Sequence, residues 1–344
     1  MAFRFFRRMK IAPGVSLNFS KSGISPSFGA RGARVTLGRD GVRTTAGLPG
    51  TGMYYTEVHS GKKSPRRSGR RASPPPPPEP RHNLDLGFFK RLFTPKAERA
   101  FVDGCRAYVG GERRKAFDTL RGAGHLADGA FLSGFLAVNF DRLDEAERHL
   151  KAALKKHRTL DRHFDKYGLE VELALPITEN VVAHIRPCRR GVLLGLTEVY
   201  QAQDRTREAL DCLKTLRREA SDDPVVNLSM AELIIDAYPD DKRLARQIVE
   251  IAGDIENRSS VHAALMLYKA RALRALGMPT AARDELTAAF RKKKDRDADL
   301  LKAIQYERAC VYEAMGKTSR ARGEFEKLFA DDPSYEDVAD RLGV

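Results

Sequence analysis

Tryptophan is absent from the 344 residues, and aromatic residues together make up only 8%. Long apolar runs are missing too. The longest stretch without a charge, residues 44–56, is thirteen residues and rich in glycine. A transmembrane helix needs about 20 predominantly apolar residues, so none is expected. The opening Met-Ala-Phe-Arg-Phe-Phe-Arg-Arg-Met-Lys runs into Ile11-Ala-Pro-Gly with no apolar stretch behind it, which argues against a cleaved secretory signal. Cysteine is scarce: Cys105, Cys188, Cys212 and Cys310 lie far apart with no Cys-x-x-Cys. They read as semi-buried thiols in a reducing compartment, and a cytoplasmic location is expected.

Acidic residues are nearly missing from the first 82 positions. Asp40, Glu57 and Glu79 face 16 Lys/Arg there, a net +13 of the whole chain's +15. The chain is thus a basic N-terminal arm on a nearly neutral body. Clustered positive charge attracts nucleic acid, acidic lipid or an acidic protein. Hydrophobic residues at 42% still supply a sizeable core, and the length suits about two domains.

The N-terminal arm has a nine-residue rhythm. Gly29/Gly32, Gly38/Gly41 and Gly47/Gly50 form Gly-x-x-Gly corners, with Ser20-Lys-Ser-Gly23 one step earlier. Between them, segments 15–19, 24–28, 33–37, 42–46 and 51–55 alternate apolar and polar residues, as in Val15/Leu17/Phe19 against Ser16/Asn18. Period-two alternation with glycine corners predicts an antiparallel meander of five short strands. A small β-solenoid shares the rhythm, although so few turns would stack poorly. So thin a sheet needs cover, from Phe3, Phe5, Phe6, Met9 and Ile11, from the body, or from a second copy in a homo-oligomer. Gly47-Leu-Pro-Gly-Thr-Gly52 precedes a strand-like run instead of Gly-Lys-Ser/Thr and a helix, so it reads as a turn and not a phosphate loop.

Phe3-Arg-Phe, Lys10-Ile-Ala-Pro-Gly-Val-Ser-Leu-Asn18 and Gly47-Leu-Pro-Gly-Thr-Gly-Met-Tyr-Tyr55 resemble domain-of-unknown-function four-two-three-six, a short, mostly bacterial module. That resemblance covers about residues 1–58 and implies no activity. Residues 59–83 follow, with Lys/Arg pairs and the five prolines Pro74 to Pro78. With almost nothing to bury, this segment is predicted to be a disordered linker with a polyproline II spacer.

The body over 84–344 switches to helical periodicity. A helix hairpin recurs whose second helix carries Ala, a large apolar residue four on, and another apolar residue three later. Ala146/Leu150/Ala153, Ala209/Leu213/Leu216, Ala282/Leu286/Ala289 and Ala321/Phe325/Leu328 fit, while Ala116/Leu120/Ala123 and Ala245/Val249/Ala252 are looser. The extra length between Ala146 and Ala209 belongs to an insertion at 157–189, with a strand-like run at 169–177. Residues 84–93 are expected to cap the first helix, with an amphipathic membrane-surface helix as the alternative. Residues 334–342 read as a terminal capping helix.

This spacing resembles tetratricopeptide repeats. The resemblance implies an all-α solenoid of stacked hairpins, with a groove along the first helices that binds a protein or peptide. By matching positions it implies groove residues Phe135, Asn139, Glu198, Gln201, Arg271, Arg274 and Glu313. The Lys/Asn/Arg clamp of chaperone-binding members is not assembled, so a chaperone C-terminal tail is not implied.

No catalytic constellation is evident. His157 and His163 lie off one helical face despite the nearby Asp161 and Asp165, and no His-Glu-x-x-His or Gly-x-Ser-x-Gly occurs. Neither metal nor cofactor is implied. The expected protein is a non-enzymatic adaptor, the alternative a binder of nucleic acid or acidic membrane through residues 1–82.

Overall fold

The computed structural model describes residues 6–12, 15–20, 23–28, 33–38, 41–47, 54–59, 84, 86–178, 181–294 and 296–344, the first six segments as backbone. Apart from His59, the linker expected over 59–83 lies outside the described residues.

Strands β1 (Phe6–Ala12), β2 (Val15–Ser20), β3 (Gly23–Phe28), β4 (Ala33–Gly38), β5 (Gly41–Gly47) and β6 (Tyr54–His59) pair antiparallel in chain order. Residues 6–12, expected to cover the sheet, form a strand themselves. Met9-Lys-Ile11 alternates apolar and charged residues, a pattern that suits a strand equally well. The last strand lies at 54–59, where Tyr54-Tyr-Thr-Glu-Val58 has the β-forming residues that Thr51-Gly52 lacks.

The helical region comprises α1 (Phe88–Phe93), α2 (Lys96–Val109), α3 (Arg113–Leu120), α4 (Ala127–Asn139), α5 (Leu143–Lys155) and α6 (Arg162–Lys166). The hairpin strands β7 (Glu170–Thr178) and β8 (Val181–Ile185) come next. After them follow α7 (Arg189–Ala202), α8 (Thr206–Glu219), α9 (Pro224–Ala237), α10 (Lys242–Ala252), α11 (Ser260–Ala275), α12 (Pro279–Arg291), α13 (Ala298–Ala314), α14 (Thr318–Asp331) and α15 (Val338–Leu342). The chain forms two compact units: residues 1–175 with 184–203, and residues 176–183 with 204–344.

One turn recurs through both units. Between first and second helices, residues 110–112, 140–142, 276–278 and 315–317 each place their middle residue at positive φ: Gly111, Asp141, Gly277 and Gly316. Asp204 sits likewise in 203–205. The backbone then closes from the third turn residue to a carbonyl five positions back, as in Glu112 N to Ala107 O at 2.9 Å, Arg142 to Ala137 at 3.0 Å, Met278 to Leu273 at 2.9 Å and Lys317 to Tyr312 at 2.8 Å. These Schellman closures satisfy the last carbonyls of the first helix and fix the reversal.

The alanine pattern is the packing seam. Ala146, Leu150, Ala153, Ala282, Leu286 and Ala289 are all 0% exposed, and Ala321, Phe325 and Leu328 no more than 2%. Opposite them the first helices present small residues. A Cβ built at Gly134 would lie 2.7 Å from Leu150 Cγ, and one at Gly104 would lie 2.4 Å from Leu120 Cγ. Close approach, more than backbone freedom, demands glycine here. In α10 the expected register fails: Ile248 and Ile251 are buried with Ala245 and Ala252, while Val249 is only half-buried.

The insertion is anchored by two buried acids. Asp128, 0% exposed on α4, accepts from the backbone N–H of Asp161 and of His163, both at 2.7 Å. Burial pushes its carboxyl above the usual range, and those two N–H donors work in the opposite direction. Glu98 on α2 accepts from Tyr167 Oη at 2.7 Å and from Lys166. Phe101 and Phe164 meet edge-on at 5.2 Å between them. In β7, Val171, Leu173, Leu175 and Ile177 are buried, as are Val181, Ala183 and Ile185 in β8, so the run expected to be strand-like alternates as a half-buried strand does.

At the start of the body, Leu84 is 1% exposed and its carbonyl accepts from Arg106, while Arg91 grips Asp103 through two bonds of 2.9 and 2.6 Å. Leu92 and Phe93 stay exposed, so capping involves only part of the segment expected to do it. At the other end α15 starts at Val338, later than expected. Val338 is fully buried against Ala309, Phe325 and Leu328, and Tyr306 Oη donates to Asp337 at 2.6 Å.

Candidate functional site

The first-helix face of each unit holds the residues expected to bind a partner. In the unit containing α4 and α7, Phe135 is 0% exposed, packs with its ring 4.9 Å from that of Phe131 at a 59° tilt, and leaves no room for a side chain at Gly195 of α7. Phe135 is therefore core and meets no partner. Every residue of α4 before Asn139 is buried, so the helix has no free face along most of its length. Asn139 ends the helix half-buried, and its Oδ1 has no hydrogen-bond partner among the described residues.

Glu198 and Gln201 lie half-buried on α7. Desolvation pushes the Glu198 carboxyl up to about 8. At neutral pH it is a hydrogen-bond donor as well as an acceptor. Tyr200 on the same helix and Gln203 just past its end reach α5 through Glu147 at 3.3 Å and Asp144 at 3.0 Å.

In the unit containing α11 and α13, Arg271 and Arg274 converge on one carboxylate. Arg271 Nε lies 3.2 Å from Glu307 Oε2, and Arg274 Nε lies 2.6 Å from Glu307 Oε1. Glu307 is 3% exposed, so this pair of arginines is what makes its burial tolerable. Arg271 also stacks 5.0 Å above the Tyr268 ring, whose hydroxyl reaches Glu232 of α9 at 3.4 Å. A polar ladder thus crosses α9, α11 and α13. Two guanidinium groups share one buried carboxylate through their Nε atoms, and Asp236 also acts on Arg271, while their remaining N–H donors suit a further carboxylate. Glu313 is not in that array: it is exposed and paired with Arg341 of α15.

Sequence reasoning passed over Glu307. The signal was its place in α13, three and four residues after the buried Ile304 and Ala303, a core position filled by an acid. Among the described residues no group of three or more His, Cys, Asp or Glu is arranged to hold a metal ion. His163 Nδ1 stands 3.7 Å from Asp128 Oδ2, and His157 Nδ1 contacts the Leu154 carbonyl at 3.0 Å. Burial pushes the Cys105 thiol far up and makes it unreactive. No helix among the described residues is long and apolar enough to cross a membrane.

Residues 3–56 match a family described as a protein of unknown function, DUF4236. A search of curated proteins returned no match. Among solved structures, the chain is similar to the N-terminal domain of the EccA1 ATPase from the ESX-1 secretion system of Mycobacterium tuberculosis, with a TM-score of 0.53 and 16% identity over 72% of this chain and 88% of that one. It is also matched to a thermophilic TPR protein of Thermus thermophilus, at a TM-score of 0.41 and 17% identity, covering 63% of this chain and 97% of that one. The likeness to the first is one of fold. The body is a helical-repeat array.

Proposed function

We propose that this protein is a non-enzymatic adaptor that holds a protein or peptide partner on the first-helix face of its repeats. Asn139, Glu198 and Gln201 contribute in one unit, Arg271 and Arg274 in the other. The N-terminal β-module (1–58), carried on the proline-rich linker (59–83), tethers the assembly or brings two copies together. The observation that supports this reading best is the Arg271–Arg274–Glu307 array, whose spare donors suit a partner carboxylate. A photo-crosslinking residue at Gln201 or Arg274 of the full chain should capture a defined partner that the same residue at Arg322, exposed on α14, does not. Equal capture at all three positions overturns the reading.

A second reading has an observation of its own, the +13 carried by residues 1–82. In it the arm binds nucleic acid or acidic lipid and the repeats regulate it. Retention of a DNA oligonucleotide or of phosphatidylglycerol vesicles would then collapse as salt rises from low to physiological. A partner captured at Gln201 or Arg274 that stays bound through the same salt range favours the adaptor.

A further inference from the structure

The hairpin of α9 and α10 breaks the rule of the other turns. Residues 238–241 make a turn one residue longer, with Pro239 inside it, no residue at positive φ and no closure to a carbonyl five positions back. The two helices pack more loosely than the partners in the α2/α3, α4/α5, α11/α12 and α13/α14 hairpins. The seam slips here as well, since the half-buried Val249 stands where the other second helices bury Leu or Phe. Where α10 parts from α8 over α9, a groove of about 530 Å³ opens and continues into a recess of about 400 Å³.

Its chemistry is one-sided. Met230, Ile234 and Ile251 make an apolar floor, and Lys214, Arg217, Arg243 and Arg246 stand around it, with Glu250 the one acid in the lining. Lys214 leans on Asp211 of its own helix at 3.4 Å. The three arginines make no ion pair or hydrogen bond through their side chains among the described residues, and Arg217 Nε is buried with no partner at all. Elsewhere in the same unit arginines are matched, as in Arg308 with Glu324 at 2.9 Å and Arg322 with Glu326 at 3.0 Å. Like charges gathered over an apolar floor repel one another, and an anionic occupant with apolar side chains removes both costs.

We propose that this groove is a second docking site, on the face opposite in role to the first helices, for a short acidic amphipathic helix of a partner protein. Apolar side chains three or four residues apart enter between α8 and α10 onto Met230 and Ile251, and flanking carboxylates take the arginine forks. The chain's own arm is not the occupant, because residues 1–82 carry +13 and are repelled. Nucleic acid offers the charge without the apolar side chains to fill the floor. The site does not depend on the function proposed for the first-helix face.

The full chain, panned against a phage-displayed library of random peptides, provides the test. Counter-selection uses Arg243→Glu/Arg246→Glu, a change at two exposed positions, and folding is checked by circular dichroism. Expected are clones rich in Asp and Glu beside apolar residues at three- and four-residue spacing. Their synthetic peptides should lose at least ~10-fold in affinity on the reversed-charge chain, a 1.4 kcal/mol effect, and keep it on Arg243→Lys/Arg246→Lys. An empty selection, clones with no acidic excess, equal affinity for the reversed-charge chain, or displacement of the peptide by a DNA oligonucleotide or phosphatidylglycerol vesicles each overturns the proposal. Crosslinking at Gln201 and Arg274 is unaffected by these variants, so failure here is distinct from failure of the adaptor reading.

Discussion

Gly134 shows how little slack the seam has. A methyl group there would sit 2.7 Å from Leu150 Cγ, and both residues are locked between packed helices. Gly134→Ala should therefore destabilise the protein by about 1–3 kcal/mol, as overpacked cores do, despite the better helix propensity of alanine. Urea unfolding followed by circular dichroism will read this as a lower midpoint with an unchanged slope. Glu198 makes a prediction of opposite sign. Its carboxyl is raised from 4.5 to about 8 in the folded chain, so the folded state keeps a proton that the unfolded state releases. Stability from this group is present below pH 4.5 and falls away as pH climbs towards 8. Glu198→Gln should raise the melting temperature at pH 8.5 and leave it nearly unchanged at pH 4.5. An equal shift at both values would show that the carboxyl is ionised as usual.

At the scale of elements, buried polar anchors decide what stays put. Asp128, on the mostly apolar α4, holds the start of α6 through the N–H groups of Asp161 and His163. Asp128→Ala leaves two donors without an acceptor, which costs about 1–3 kcal/mol each where burial persists. Hydrogen exchange should show the amides of Asp161 and His163 losing protection while α12 keeps its own. The α9/α10 hairpin is the complementary case, an element held less tightly. Lacking the left-handed turn residue and the full alanine seam, α10 should exchange faster than α12 or α14 in native conditions. Slower exchange in α10 than in α12 would contradict the loose packing seen between α9 and α10.

Across the whole molecule, a repeat array keeps its end hairpins only if something covers them. Val338 of α15 does this for α13 and α14, sealed by the Tyr306–Asp337 bond and by Arg341 against Asp337 at 2.8 Å. Removing residues 338–344 should expose Phe325 and Leu328, and the last hairpin should lose exchange protection first, with the unit containing α4 unchanged. Uniform loss of protection through the chain would mean that the array unfolds as one block.

The recurring alanine, leucine and glycine spacing determined the hairpins, because close helix packing admits few residue types and those leave a local, periodic mark. The strand-like alternation of 169–177 was readable for the same reason. Tertiary structure decided the rest. Phe135 is buried because α7 closes over it through Gly195. The apolar run from Phe131 to Val138 marks α4 as a helix with little free face but does not name the neighbour, sixty residues away, that covers it. Arg271 and Arg274 face a buried Glu307, and the arginines of α8 and α10 face one another across a gap. Whether a charge is matched or left waiting depends on which distant residues the fold brings beside it, and side-chain spacing along one helix carries no record of that.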